Sequence, residues 1–414
     1  MASQPMTQAE MQEALNLVGK YGSITAAARA TGIPRQTLDS RQKRGRDAGM
    51  KANNLSPEQL IDQERVGMQD RIKDLESVLK SERRERLSED RIREEIFGLS
   101  SKPVSPPKWA LEIPKRHDRP GIPTLLLSDL HWGEVVKPGQ IHGKNEYNVA
   151  IAKRRLQRVI ASTLNICFNY TVNPEYPGIV VPLGGDLVTG DIHEELVETN
   201  ELTSAQTLVD IVGSLAWAYG VLADKFGKVW VPAVTGNHGR LTHKIRAKNR
   251  AFTNFDWVIA QLLQRHFMKD SRFSWLIPDG SDAWYKVYNH RYLLTHGDQF
   301  RGGDGIIGAL GPIMRGDTKK RARNGQIDLG YDTMILGHWH QYIPLSRVIV
   351  NGSLKGYDEW ASQQNFSFEV PIQALWFTHP IYGITNHWGI RAEEPKAIFK
   401  GAPVTLGDMP EMVL

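Results

Sequence analysis

Two histidines one residue apart, His338 and His340, stand in the stretch GHWH directly after the apolar run YDTMIL. Either could be a polar residue at the rim of a sheet. Other strand-like runs decide the matter. TLLLSDLHWGE stops at Asp129 and His131, GIVVPLGGDLVTG at Asp186, KVWVPAVTGNHGR at Asn237 and His238, and YLLTHGD at His296. Eight ligand-type side chains therefore close five apolar runs, and glycine adjoins most of them. One histidine so placed is usually a hydrogen-bonded rim residue. Eight together cannot be dismissed in that way, and their types are compatible with metal ions. The flanking glycines let the backbone turn sharply beside an ion or a phosphate.

Helical stretches fill the gaps between these runs, at roughly 148–170, 195–227 and 249–268. Crossover helices bring successive strand ends to one edge of a sheet, where open α/β sheets bind ligands. The single cysteine, Cys167, excludes a disulfide framework and a cysteine-rich zinc site, so histidine, aspartate, asparagine or glutamate must hold any metal. The net charge of +5 on 414 residues is a mild bias toward anionic partners. MASQPMTQAEMQEA lacks the apolar core of a secretory signal, and no apolar run approaches the roughly 20 residues of a membrane span. The expectation is a cytoplasmic protein without a membrane partner.

The order D-x-H, G-D, G-N-H, a lone H and G-H-x-H, spread over residues 124–341, resembles the calcineurin-like metallophosphoesterases. The resemblance implies a four-layer α/β/β/α sandwich over residues 124–400 and two divalent ions, manganese first, with iron, zinc or nickel also compatible with this donor set. It implies that Asp129, His131 and His340 hold one ion, that Asn237, His296 and His338 hold the other, and that Asp186 bridges them. His338 and His340 would thus serve different ions, with Trp339 turned away, as alternating side chains on an extended segment allow. His238 would protonate the leaving oxygen. One position departs from the pattern. An acid usually follows the G-N-H histidine, and Gly239 stands there. Asp298 or His193 could replace its support.

The first hundred residues lie outside that resemblance. SITAAARATGIPRQTLDSRQKRGR, within residues 1–50, has the small residues, Gly32 turn, Pro34 and inward Leu38 of a helix-turn-helix. Its second helix would carry Arg35, Gln36, Arg41, Lys43 and Arg44 toward DNA. Over residues 56–97, Ile61, Arg65, Met68, Ile72, Leu75 and Leu79 form a heptad seam suited to a long helix that pairs two chains. Six prolines mark 98–123 as a linker, and 401–414 reads as a tail. The overall fold class is α/β, preceded by an all-α helix-turn-helix and a long helix.

Two basic stretches could border the metal site. One starts at Arg240, the end of GNHGR, and runs on through Lys244, Arg246, Lys248 and Arg250; the other is MRGDTKKRARNG. Loops of this kind suit the phosphates of a polynucleotide. The expected activity is a nuclease similar to SbcD-like enzymes, acting on DNA in preference to RNA and assembling as a homo-oligomer through residues 56–97. The alternatives are a phosphatase or phosphodiesterase for small-molecule or protein phosphates, and a DNA-binding regulator without catalysis.

Overall fold

The computed structural model describes residues 6–52, 105–115, 121–302 and 308–393. The heptad seam and the tail from 394 lie outside the described residues. The chain divides into two compact units, Met1–Ser100 and Ser101–Leu414.

The first unit has three described helices, α1 (Gln8–Tyr21), α2 (Ile24–Thr31) and α3 (Arg35–Asp47). Thr7 and Glu10 form a capping box that starts α1, and Gly22 ends it in the left-handed conformation. Gly32 closes α2 at a φ of 72°, and Pro34 caps α3. Leu38 is fully buried with Ala14 and Ala27, which draws the three helices together. Arg41 turns back to Glu10 at 2.5 Å. Arg35, Gln36, Lys43 and Arg44 are exposed.

The second unit is mixed α/β with two sheets. The first has the order β11-β10-β1-β2-β3-β4, built from β1 (Ile122–Leu125), β2 (Ile179–Val180), β3 (Val229–Pro232), β4 (Phe273–Leu276), β10 (Ile372–His379) and β11 (Gly383–Arg391). Strands β1 to β4 run parallel, and β10 is antiparallel to both of its neighbours. The second sheet has the order β5-β6-β7-β9-β8, from β5 (Asp282–Val287), β6 (His290–Thr295), β7 (Thr333–Leu336), β8 (Ile343–Pro344) and β9 (Val348–Val350). In it β6, β7 and β9 run parallel.

Side-chain alternation explains the packing. Leu125 and Leu127 face one core, and Ile122 and Leu126 face another. The first core joins sheet one to α5 (Val149–Asn169), α7 (Ser204–Phe226) and α8 (Phe255–His266). The second lies between the sheets, where Trp230 and Trp376 of one meet Tyr285 and Tyr292 of the other. The third joins Met334, Leu336 and Val350 of sheet two to Ile313 of α9 (Leu310–Gly325). Trp109, in the short helix α4 (Lys108–Leu111) within the proline-rich stretch, packs into the inter-sheet core.

Two expectations change. Helix α7 is long and apolar enough by length and composition to cross a membrane, contrary to the sequence-based expectation that no run comes near that length. Here Ile211, Leu215, Tyr219, Leu222 and Phe226 are buried in the first core, and Asp210 pairs with Lys153 at 2.6 Å. The second basic stretch is largely absorbed by the fold. Lys320 is buried on the carboxylate of Asp282 at 2.7 Å, Arg323 reaches the same carboxylate at 3.1 Å, and Arg321 holds Asp317 at 2.7 Å. A buried Asp282 needs such cations, and they anchor α9 to sheet two.

Candidate metal centre

Strands β1, β2 and β3 of one sheet and β6 and β7 of the other all end at one place. Beyond its last ladder pair, the β1 chain zips onto the β2 chain: Asp129 N–H donates to Gly185 O at 3.0 Å, and His131 N–H to Asp186 O at 3.1 Å. Asp129, His131, Asp186, His338 and His340 all have positive φ, between 46° and 69°. Non-glycine residues adopt this region at a cost, and persist there where the surroundings over-determine them, often at functional sites. The strain turns five donor side chains inward from three strand-end bends, those after β1, β2 and β7.

The donors fall into three groups, each with ligand atoms within 4.8 Å of one another: Asp129, His131 and His340; His131, Asp186 and His238; and Asp186, His296 and His338. His340 and His338 therefore join different groups, and Trp339 packs on the third core instead. His131 Nε2 and His340 Nε2 stand 3.0 Å apart, and Asp129 Oδ1 lies 3.5 Å from the latter. Two imidazole nitrogens that close to a carboxylate suit a shared cation. On the other side, Asp186 Oδ2 is 3.0 Å from His296 Nε2. Asn237 Oδ1 beside them is buried and lacks a hydrogen-bond partner among the described residues. Such orphans are costly unless an ion satisfies them. The residues fit divalent metal ions.

Hydrogen bonds fix which atom each donor presents. His296 Nδ1–H donates to Gly184 O at 2.9 Å, which leaves Nε2 for the site. Asp186 Oδ1 accepts His238 N–H at 2.7 Å, which leaves Oδ2. Asp129 Oδ1 accepts His338 N–H at 2.8 Å, and Oδ2 accepts Ser128 Oγ–H at 2.5 Å. Burial holds the His131 imidazole well below its ordinary pKa, and buried Lys355 pushes the same way. Burial also holds His338 down, to about 4, with His296 adding to the effect. Neutral imidazole is the ligand form. Burial opposes charge on His296 as well, but Asp186 outweighs it and pushes its pKa up to about 10. A cation between the two would displace that proton.

His238 Nδ1–H donates to the carbonyl of Thr189 at 2.9 Å, and its ring meets His131 edge to face at 4.5 Å. That carbonyl orients His238. Of the expected substitutes for the missing acid, Asp298 pairs with Arg250 at 2.8 Å, and His193 is exposed just before α6 (Glu194–Thr199). Gly239 has a structural reason. A Cβ there would lie 2.5 Å from Asn254 Oδ1 and 3.1 Å from Asp256 Oδ1.

Asp256 is one of several residues that sequence reasoning missed. Its carboxylate accepts N–H bonds from Gly236 at 2.8 Å, Asp186 at 3.0 Å and Leu187 at 3.1 Å. It ties the Asp186 bend to the G-N-H bend. Burial, with the charge of Asp186, pushes its carboxyl up to about 6. In the sequence it lies in FTNFDW, whose aromatic residues signal only a core. Glu134 is another. Its carboxylate lies 3.5 Å from His131 Nδ1, accepts Thr189 Oγ–H at 3.0 Å and pairs with buried Lys355 at 2.9 Å. Lys355 also pairs with Asp358. Glu134 thus supports both His131 and the Thr189 turn that orients His238. Its position three residues after His131 was the only local signal. Glu134→Gln should lower divalent-metal affinity about 10- to 100-fold, as loss of a ligand's orienting partner does. Equilibrium dialysis against manganese measures this, and unchanged affinity would remove Glu134 from the centre.

The basic loop divides. Arg240 donates to the carbonyls of Asn237 at 2.7 Å and Thr242 at 3.1 Å, and Arg250 to Asp298 and to Thr235 O. Lys244, Arg246 and Lys248 are exposed.

A scan against protein-family models finds no match, and a search of curated proteins finds none. Among solved structures, a single mutant of Vps29 from Entamoeba histolytica is 14% identical, covers 65% of this chain and 99% of its own, and has a TM-score of 0.27. A conserved protein from Streptococcus pneumoniae, described as a predicted phosphoesterase, is 10% identical over 65% of this chain and 97% of its own, with a TM-score of 0.24. The donor geometry, not these likenesses, carries the conclusion. The chain resembles the calcineurin-like metallophosphoesterases. The motif order supplies that resemblance, and two mixed sheets ending at one donor cluster accord with it.

Proposed function

We propose that the chain is a metal-dependent phosphodiesterase that cuts nucleic acid, DNA in preference to RNA. The observation that carries a phosphoesterase is the pair of donor groups, Asp129/His131/His340 and Asp186/His296/His338, joined by a third that shares His131 and Asp186. We read the three cores as the seams of a four-layer α/β/β/α sandwich, and α1 to α3 as a helix-turn-helix presenting Arg35, Gln36, Lys43 and Arg44 to DNA. Pairing of chains through residues 56–97 belongs to the same proposal.

Asp129, His131 and His340 would hold one divalent ion, and Asn237, His296 and His338 the other, with Asp186 between them and manganese the first candidate. Such ions supply charge neutralisation at phosphoryl oxygens and a nucleophile from water. Among the neutral donors, Asn237, His131 and His338 leave the site able to accept an anionic phosphate. His238, with Nδ1 fixed on Thr189, has Nε2 available to move a proton. Burial holds its pKa below the ordinary value against the pull of Asp186. An anionic phosphate nearby raises that pKa, so the proton is held when substrate is bound and can pass to the leaving oxygen.

A labelled DNA strand, bis-p-nitrophenyl phosphate and p-nitrophenyl phosphate, each with added manganese, form the test. Cleavage of the first two is expected. Cleavage of p-nitrophenyl phosphate alone would favour a phosphatase, and a DNA mobility shift without hydrolysis a regulator. The second reading, a phosphatase or phosphodiesterase for small-molecule or protein phosphates, has one observation in its favour: Arg240 is committed within the loop and Arg250 to Asp298. The loop's exposed cations separate the readings. Replacing Lys244, Arg246 and Lys248 by Ala should raise KM for DNA. It should also lower the slope of log K against log salt by roughly 0.7 to 0.9 per lost contact. Bis-p-nitrophenyl phosphate has no remote phosphates, so its hydrolysis should stay unchanged; unchanged kinetics on DNA as well would favour the second reading.

A further inference from the structure

The stretch DEWASQQNFSFEV, residues 358–370, contains no lysine or arginine, yet it holds three aromatic residues among amides and serines. It begins with the short helix α10 (Glu359–Gln363), capped by Asp358, whose side chain accepts Ala361 N–H at 2.7 Å. Trp360, Phe366 and Phe368 are 57%, 46% and 50% exposed. These values set them apart from Trp230 and Trp376, which lie fully buried between the sheets. Trp360 and Phe366 meet edge to face at 5.0 Å, and Phe366 N–H donates to Ala361 O at 2.9 Å, so the pair is held in place by its own turn.

Both roots of this turn lie at the His131/His340 side of the metal centre. At one end, Asp358 pairs with Lys355, Lys355 with Glu134, and Glu134 approaches His131 Nδ1 at 3.5 Å. The preceding residues are fastened to the first donor itself: Ser353 Oγ–H and Leu354 N–H both donate to the carbonyl of Asp129, at 3.0 and 3.1 Å. At the other end, Glu369 accepts Tyr342 N–H at 3.4 Å, two residues beyond His340. The basic loop is rooted on the other donors, through Arg240 on Asn237 O and Arg250 on Asp298. One rim of the centre therefore offers exposed cations, and the other offers exposed rings on a segment that itself carries no lysine or arginine.

That division matches the two chemistries of a nucleotide strand. Phosphates need charge, whereas bases need flat apolar faces and tolerate a site without positive charge. Exposed rings held in a group, beside acids that would repel phosphate, suit the base. We propose that Trp360 and Phe366 form a stacking subsite for a nucleobase of a single-stranded segment whose phosphodiester lies at the metal centre. This inference rests on the nucleic-acid reading above and adds a base-recognising element to it. Phe368, packed against Tyr357 at 5.5 Å, supports the same turn from behind.

The test uses the full chain, in EDTA so that strands stay whole, and fluorescence anisotropy with two probes of about six nucleotides. One is oligodeoxythymidine, and the other is an abasic strand of the same length and charge. Oligodeoxythymidine should bind roughly 5- to 150-fold more tightly, the range that stacking of one base gives. Trp360→Ala should remove most of that preference without changing affinity for the abasic strand, and Trp360→Phe should restore part of it. Hydrolysis of bis-p-nitrophenyl phosphate by Trp360→Ala should stay at the parent level, which also shows that the variant folds. Equal affinity of the parent for both probes, or a preference that survives both Trp360→Ala and Phe366→Ala, overturns the proposal. Base preference in a chain that cuts no DNA would sustain the subsite and defeat the nuclease reading. DNA cleavage without base preference would do the reverse.

Discussion

Asp186→Asn is expected to leave a folded protein that retains at most one divalent ion per chain and has lost activity on bis-p-nitrophenyl phosphate by roughly 10³-fold or more. The asparagine fits, because its amide oxygen can take the place of Oδ1, which accepts His238 N–H at 2.7 Å. The loss falls on Oδ2, the buried atom 3.0 Å from His296 Nε2. A neutral amide there presents an N–H₂ group to an incoming cation. It cannot divide a negative charge between two metal positions. Since Asp186 belongs to two of the three donor groups, its replacement weakens both at once. The measurement is metal content after dialysis, alongside turnover. Two retained ions with parent turnover would mean that Asp186 is a structural acid like Asp256, not a shared ligand.

The second large effect is steric and needs no charged residue. A Cβ on Gly236 would lie 2.0 Å from Asp186 Oδ1 and 2.4 Å from Asp186 N, and these atoms have little room to move. The Asp186 and Gly236 amides are both bonded to the carboxylate of Asp256, so shifting either bend breaks a buried hydrogen bond to the other. Gly236→Ala should therefore cost about 2–3 kcal/mol in stability, the upper part of the range for overpacking. In a unit of about 300 residues that corresponds to a fall in Tm of roughly 3–5 °C. Metal binding should fail with it, because Asp186 must rotate away from its position. Gly220→Ala in α7 is the matched control: a Cβ there meets nothing within 4 Å. Helix propensity alone should make that change neutral or stabilising by up to about 1 kcal/mol. Thermal melts and manganese titration of both variants check this, and a Gly236→Ala protein that melts and binds metal like the parent would show that the two bends are slack.

The sequence by itself determined the donor residues and the local turns that hold them. Apolar runs ending in Asp, Asn or His beside glycine are local patterns, and local backbone geometry follows from them: Gly32 ending α2, Gly227 ending α7 at a φ of 73°, the capping box of Thr203 and Gln206. A continuous apolar run likewise marks both faces of β1 as buried, since a strand between two cores has no polar side. Only the tertiary structure decided how the donors group. His338 N–H reaches Asp129 across 209 residues, and His131 meets His340 across the same distance in sequence. Such contacts follow from the sheet order and from the packing of one sheet on the other, which periodicity does not encode. The supporting residues lie at the same level. Glu134, Asp256 and Lys355 are ordinary charged residues in the sequence, and each becomes significant only because folding buries it where a partner is compulsory. The basic stretches show the converse. A run of Lys and Arg looks available to a ligand in one dimension, yet Arg250, Lys320 and Arg323 are drawn to buried or half-buried carboxylates that only the fold places within reach. Charge is legible in a sequence; whether that charge remains free is settled by which desolvated groups it must neutralise.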